Sequence, residues 1–85
     1  MQGSAFTEKQ GQYLAFIHAY TEINSVPPSE ADMQHFFRVS PPSVHQMVKK
    51  LHAAGLISRT PRKARTLQIL VEPHELPVLC RPRRD

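Results

Sequence analysis

The sequence predicts a mostly α-helical domain of three helices closed by a small β-hairpin. Three observations lead there. Apolar residues recur at helical spacing in three segments, and a Ser or Thr suited to capping stands before each. Pro27-Pro28 and Gly55 punctuate those segments. After Gly55 the helical period gives way to two short β-branched runs around a polar loop.

Thr7-Glu8-Lys9-Gln10 has the form of a capping box, in which threonine and glutamine side chains each satisfy an orphan backbone donor. Tyr13, Phe16, Ile17, Tyr20 and Ile23 follow at helical intervals, so a first helix is expected over 7–24 with these five facing the core. Pro27-Pro28 ends it, because the residue before a proline is pushed out of helical geometry. Ser29 caps a short second helix, with Glu30 and Asp32 where the macrodipole favours anions and with Met33, Phe36 and Phe37 inward. Arg38-Val39 makes a tight turn. Ser40 then caps a third helix over 40–54, with Pro41 at the first position, where its missing N–H costs nothing. Val44, Met47, Val48 and Leu51 form its buried stripe, and Gly55 is placed to end it in the left-handed conformation.

Residues 56–60 and 66–71 are expected strands, with Leu67, Ile69 and Val71 turned to the core and a basic loop over 61–65 between them. Helix, short helix, tight turn, longer helix and basic hairpin is the order of a three-helix winged helix-turn-helix. Residues 1–71 make up that domain, and 72–85 form a proline-rich, basic tail. Pro73, Pro77 and Pro82 exclude regular structure there. Leu76, Val78 and Leu79 are expected to dock on the domain or a partner, and residues 81–85 to stay loose.

Eighty-five residues give one domain, and a chain this short buries only roughly 60–65% of its unfolded surface, so a homodimer is a plausible partner state. No apolar stretch approaches a membrane span, Met1-Gln2-Gly3-Ser4 lacks the marks of a signal peptide, and the single Cys80 fits a reducing compartment. The expected location is cytoplasmic. No cofactor and no small-molecule substrate are expected.

Charge is segregated along the chain. Residues 1–37 set Lys9 against Glu8, Glu22, Glu30 and Asp32, whereas 38–71 carry Arg38, Lys49, Lys50, Arg59, Arg62, Lys63 and Arg65 with no carboxylate. Such a stretch suits a polyanion, nucleic acid first. A major groove admits one α-helix, whose outer face meets base edges. With Val44, Met47, Val48 and Leu51 inward, the outer face of the third helix presents Pro42, Ser43, His45, Gln46, Lys49 and Lys50. Gln46 suits bidentate pairing with adenine, Ser43 and His45 suit base edges, and the lysines suit guanine or phosphate. The helix start at Ser40 is itself a phosphate site. Arg62, Lys63 and Arg65 at the hairpin tip, with Arg38 and Arg59, are the expected contacts to the backbone or minor groove. The expected function is therefore sequence-specific binding of double-stranded DNA by a transcription regulator of the repressor kind.

Several of these residues also carry a resemblance. Thr7-Glu8-Lys9-Gln10, Val26-Pro27-Pro28-Ser29, Ser40-Pro41 and Lys50-Leu51 followed by Ala54-Gly55-Leu56-Ile57 resemble the N-terminal DNA-binding domain of LexA-type repressors over residues 6–70. The resemblance implies a repressor that reads the major groove with its third helix and sets its wing on the backbone. The turn before the third helix is one residue shorter than the family pattern. Pro42, His45 and Gln46 stand where that family carries asparagine and paired glutamates, so its operator is not implied. The self-cleaving C-terminal domain has no counterpart in these residues, so no protease activity is implied. Any dimer is expected to use the first helix or the 72–80 segment.

Other classes fit less well. His35, His45, His52 and Cys80 lack the compact spacing of zinc ligands. There is no glycine-rich phosphate loop and no nucleophile with an evident base, so an enzyme is not expected. A winged helix used only for protein–protein contact is the alternative. Pro42 on the outer face favours it mildly, and the acid-free stretch opposes it.

Overall fold

The computed structural model describes residues 6–82. Its elements are α1 (Glu8–Asn24), α2 (Glu30–Phe37), α3 (Pro41–Ala53), β1 (Ile57–Ser58), β2 (Gln68–Ile69) and a 3-10 turn at Pro73–Glu75. Every helix starts as its local sequence dictates. Gln10 donates its N–H to Thr7 Oγ1 at 3.1 Å, and Thr7 donates its N–H to Gln10 Oε1 at 2.9 Å. Ser29 and Asp32 repeat this reciprocal arrangement at α2. Ser40 Oγ caps α3 by accepting the Ser43 N–H. Each cap is worth about 1 kcal/mol. At the far end of α3, the N–H groups of Gly55 and Leu56 bond back to the carbonyls of His52 and Leu51, both at 3.0 Å. Gly55 stands at φ +75°, a left-handed position that glycine occupies without strain.

The core lies where the three helices meet the hairpin. Val44, Val48 and Leu51 of α3 and Met33 of α2 are fully buried against Leu14 and Ile17 of α1, with Ile57 and Leu67 closing the far side. Met47 completes the α3 stripe, partly buried. An aromatic seam fastens α1 to α2. Tyr13 stacks on Phe37 with ring centroids 4.1 Å apart, and Phe16 lies 4.7 Å from Phe36. Such pairs add about 0.5–1.5 kcal/mol each beyond area burial. Burial raises the pKa of the Tyr13 hydroxyl.

Four expectations need correction. Ile23 is 80% exposed, because the last turn of α1 runs past the core. Instead α1 buries a continuous run, Tyr13 to Ile17, since the C-terminal segment covers a second side of this helix and erases its simple periodicity. The hairpin pairs Ile57 with Ile69 and Ser58 with Gln68, a shorter ladder than 56–60 and 66–71. It stops because Thr60 donates its N–H to the Thr66 side-chain oxygen at 2.9 Å, a local bond that replaces the ladder. The tail is not wholly irregular: Pro73 begins a 3-10 turn, where its fixed φ is tolerated. Leu76 and Leu79 do pack on the core, but Val78 is 82% exposed. Arg81 and Pro82 line surface grooves beside α2 and α1, and residues 83–85 of the expected loose end lie outside the described residues. Among the described residues no helix is long and apolar enough to cross a membrane.

Candidate nucleic-acid interface

Packing of Val44, Val48 and Leu51 fixes the rotation of α3, and the opposite face follows from the 100° step. Pro42, Ser43, His45, Gln46, Lys49 and Lys50 are all exposed there. Ser40 and Ser43 hold each other, Oγ to Oγ at 3.0 Å, at the head of the helix. The first turn of α3 contains no acid, so the positive end of its macrodipole is not neutralised from within the helix. Short, hydrogen-bonding side chains at the N-terminal end followed by lysines make a surface that can approach a groove closely and hold phosphate further along.

The loop between the strands is built by its threonines and by backbone bends. Lys63 donates its N–H to the Thr60 carbonyl at 3.2 Å, which closes a turn with Pro61 at its first corner and Arg62 at its second. Arg62 stands at φ +64°, where such a turn would ordinarily place glycine. Thr66 Oγ1 accepts from Thr60 and donates to the Lys63 carbonyl at 3.0 Å. The outcome is an ordered loop that holds Arg62 and Lys63 outward, both exposed. Arg59 is half-buried at its base. Together with Arg62, Lys63 and the start of α2 it lines a cleft of about 340 Å³.

Arg65 takes a different course. Its Nη1 donates to Asp32 Oδ2 at 3.1 Å, to Tyr20 Oη at 3.2 Å and to the Pro27 carbonyl at 3.4 Å. It ties the loop to α1 and α2, and does not extend from the tip with Arg62 and Lys63. The same Asp32 oxygen accepts from the Ser29 N–H and hydroxyl, and the Ser29 backbone bond is the main reason its carboxyl stays below the usual range, with Ser29 Oγ and Arg65 adding to it. A second acid of α2 reaches the exposed helix, with Glu30 Oε1 3.5 Å from His45 Nδ1. The basic stretch is acid-free in sequence, but in space two carboxylates of α2 border it.

Arg38 caps α2 in the left-handed conformation, φ +58°, and is exposed beside the start of α3. Lys9, counted in the sequence only as a counterweight to acids, shares a shallow groove with Pro42, Ser43, Gln46 and Lys50. One signal marked it: a cation in the first turn of a helix opposes the macrodipole, so local helix energetics do not explain its presence.

The comparisons with known proteins accord with this geometry. Residues 5–64 match the sequence profile described as iron dependent repressor, N-terminal DNA binding domain. The chain belongs to this family. It is a repressor-type DNA-binding domain. The LexA repressor of Magnetococcus marinus is 34% identical to this domain over 77 residues, spanning 89% of this chain and 33% of that protein. The LexA repressor of Thermosipho melanesiensis is 34% identical over 64 residues, 75% of this chain and 32% of its own length. The chain therefore spans about one third of the length of these relatives. The family's name mentions iron. Among the described residues no three His, Cys, Asp or Glu side chains converge as ligands would, so the residues described do not fit a metal centre.

Proposed function

We propose that this domain binds double-stranded DNA sequence-specifically, with α3 in the major groove and the 61–65 loop on the sugar-phosphate backbone or in the minor groove. The observation that carries the reading is the exposed face of α3: Ser43, His45, Gln46, Lys49 and Lys50 on a helix whose first turn holds no acid. Gln46, with Ser43 and His45, reads base edges. Lys49, Lys50, Arg62 and Lys63, with Arg38 and Arg59, supply phosphate contacts, and Arg65 sets the angle of the loop. We read the chain as a LexA-type repressor domain that acts in the cytoplasm as a dimer on paired half-sites. Family membership does not favour a purely protein-docking winged helix.

Selection of duplexes from a random library gives the preferred site. On it, Gln46→Ala is expected to cost about 1–3 kcal/mol and relax preference at one position, whereas Lys63→Ala weakens all sequences alike. Identical behaviour of the two variants would remove α3 from the groove.

A further inference from the structure

Beyond the 3-10 turn the chain is strapped across α1. Gln12 clasps it with both ends of its amide: Nε2 donates to the Val78 carbonyl at 2.8 Å, and Oε1 accepts the Cys80 N–H at 2.8 Å. The Pro77 ring lies over Gly11, so close that an added Cβ would stand 3.1 Å from Pro77 Cγ. Leu76 and Leu79 pack on the core at the same crossing. These contacts fix the backbone as far as Cys80, and so the next residue, Arg81, has a set place.

That place is among cations. Arg81 and Arg38 line one groove of about 750 Å³ with Gln34, His35 and Phe36, and among the described residues no carboxylate lines it. Arg81 and Lys9 line a second, about 390 Å³, where Glu8 is the one carboxylate among the described lining residues. Lys9 in turn lines the groove of Ser43, Gln46 and Lys50. Arg38, Arg81, Lys9 and Lys50 thus form a series running from the end of α2, over the strap and α1, to the outer face of α3. None of the four lines the cleft beneath the hairpin loop.

We propose that the strap is a second phosphate-binding flank, in which Arg81, positioned by the Gln12 clasp, acts with Lys9 and Arg38 on the backbone of the duplex that α3 reads. The DNA is then gripped on two sides of α3, by the loop and by the strap. The inference rests on the duplex-binding reading above. Gln12 is a positioning residue that touches no DNA.

The test is the salt dependence of binding to a labelled random duplex, measured for the full chain, Arg81→Gln, Lys9→Gln, Gln12→Ala, the Gln12→Ala/Arg81→Gln pair, and Lys63→Gln as the loop reference. Arg81→Gln and Lys9→Gln are each expected to lower the magnitude of the log–log slope by about one and to weaken binding roughly three- to tenfold. Gln12→Ala should lower the slope as Arg81→Gln does, and the pair should lose no more than Arg81→Gln alone. That non-additivity is something a merely structural role for Gln12 would not give. If Arg81→Gln keeps the parent slope and affinity while Lys63→Gln loses both, the strap is not a DNA contact, although the duplex-binding reading stands. If the parent chain shows no salt-dependent binding, that reading falls and the strap proposal with it.

Discussion

Helices α2 and α3 begin alike, each with a serine cap, and they are used in opposite ways. The first turn of α2 carries Glu30 and Asp32. Asp32 closes the capping box and holds Arg65, while Glu30 lies beside His45, so the positive end of this helix is spent on the domain itself. The first turn of α3 carries no acid and is exposed at Pro42 and Ser43. Local stabilisation is built into the start of α2, and electrostatic attraction for an outside anion is left available at the start of α3. A helix start serves as scaffold or as binding surface according to where its counter-charge comes from.

The strongest way to break this contrast is to make α3 resemble α2. Ser43→Glu completes a capping box with Ser40 and adds a carboxylate to the first turn. The helix should gain about 0.3–1 kcal/mol, seen as a raised Tm, while duplex affinity falls about 100-fold through like-charge repulsion. A stabilised variant that still binds like the parent would show that the acid-free first turn is unimportant.

The reverse change acts on α2. Asp32→Ala removes the partner of Ser29 and Arg65 and should cost about 1–2 kcal/mol by denaturant titration, with a smaller loss in DNA binding as the loop loosens. The pH dependence carries the same information. The folded carboxyl of Asp32 is depressed below its unfolded value, so its contribution is complete above the unfolded pKa of about 4 and disappears as pH falls through the folded value. Asp32→Ala should therefore flatten the acid limb of the stability curve and leave stability near neutral pH uniformly lower. An unchanged acid limb would mean that the Ser29 and Arg65 contacts do not hold the carboxylate.

A smaller effect is expected in the loop. Arg62→Gly relieves a left-handed arginine and should stabilise the domain by about 1 kcal/mol, yet it removes one proposed phosphate contact and should weaken binding a few-fold on every sequence. Gain in both properties would take Arg62 off the DNA.

Local chemistry explains what the sequence revealed and what it hid. The caps at Thr7, Ser29 and Ser40 and the stop at Gly55 depend on residues three or four apart, and they appear in the structure where the sequence places them. The stripe of α3 was equally plain, because one face alone is covered. Contacts between distant residues left no such trace. Nothing near Arg65 announces that Asp32, 33 residues earlier, will capture it, and nothing near Gln12 announces Val78 and Cys80. The length of the ladder was hidden for another reason, since the choice of Thr66 over a strand partner for the Thr60 N–H is a competition between two local bonds of similar strength. The exposed face of α3 was readable from periodicity. The role of Arg65 in the loop, the place of Lys9 and the place of Arg81 required the assembled fold.

Whether α3 and its basic neighbours meet the phosphates of a duplex is decided by a salt titration of the unaltered chain against random-sequence duplex DNA. The expected log–log slope is about −4 to −6 per monomer, each contacted phosphate contributing about one. A response that stays flat across the salt range would contradict that contact.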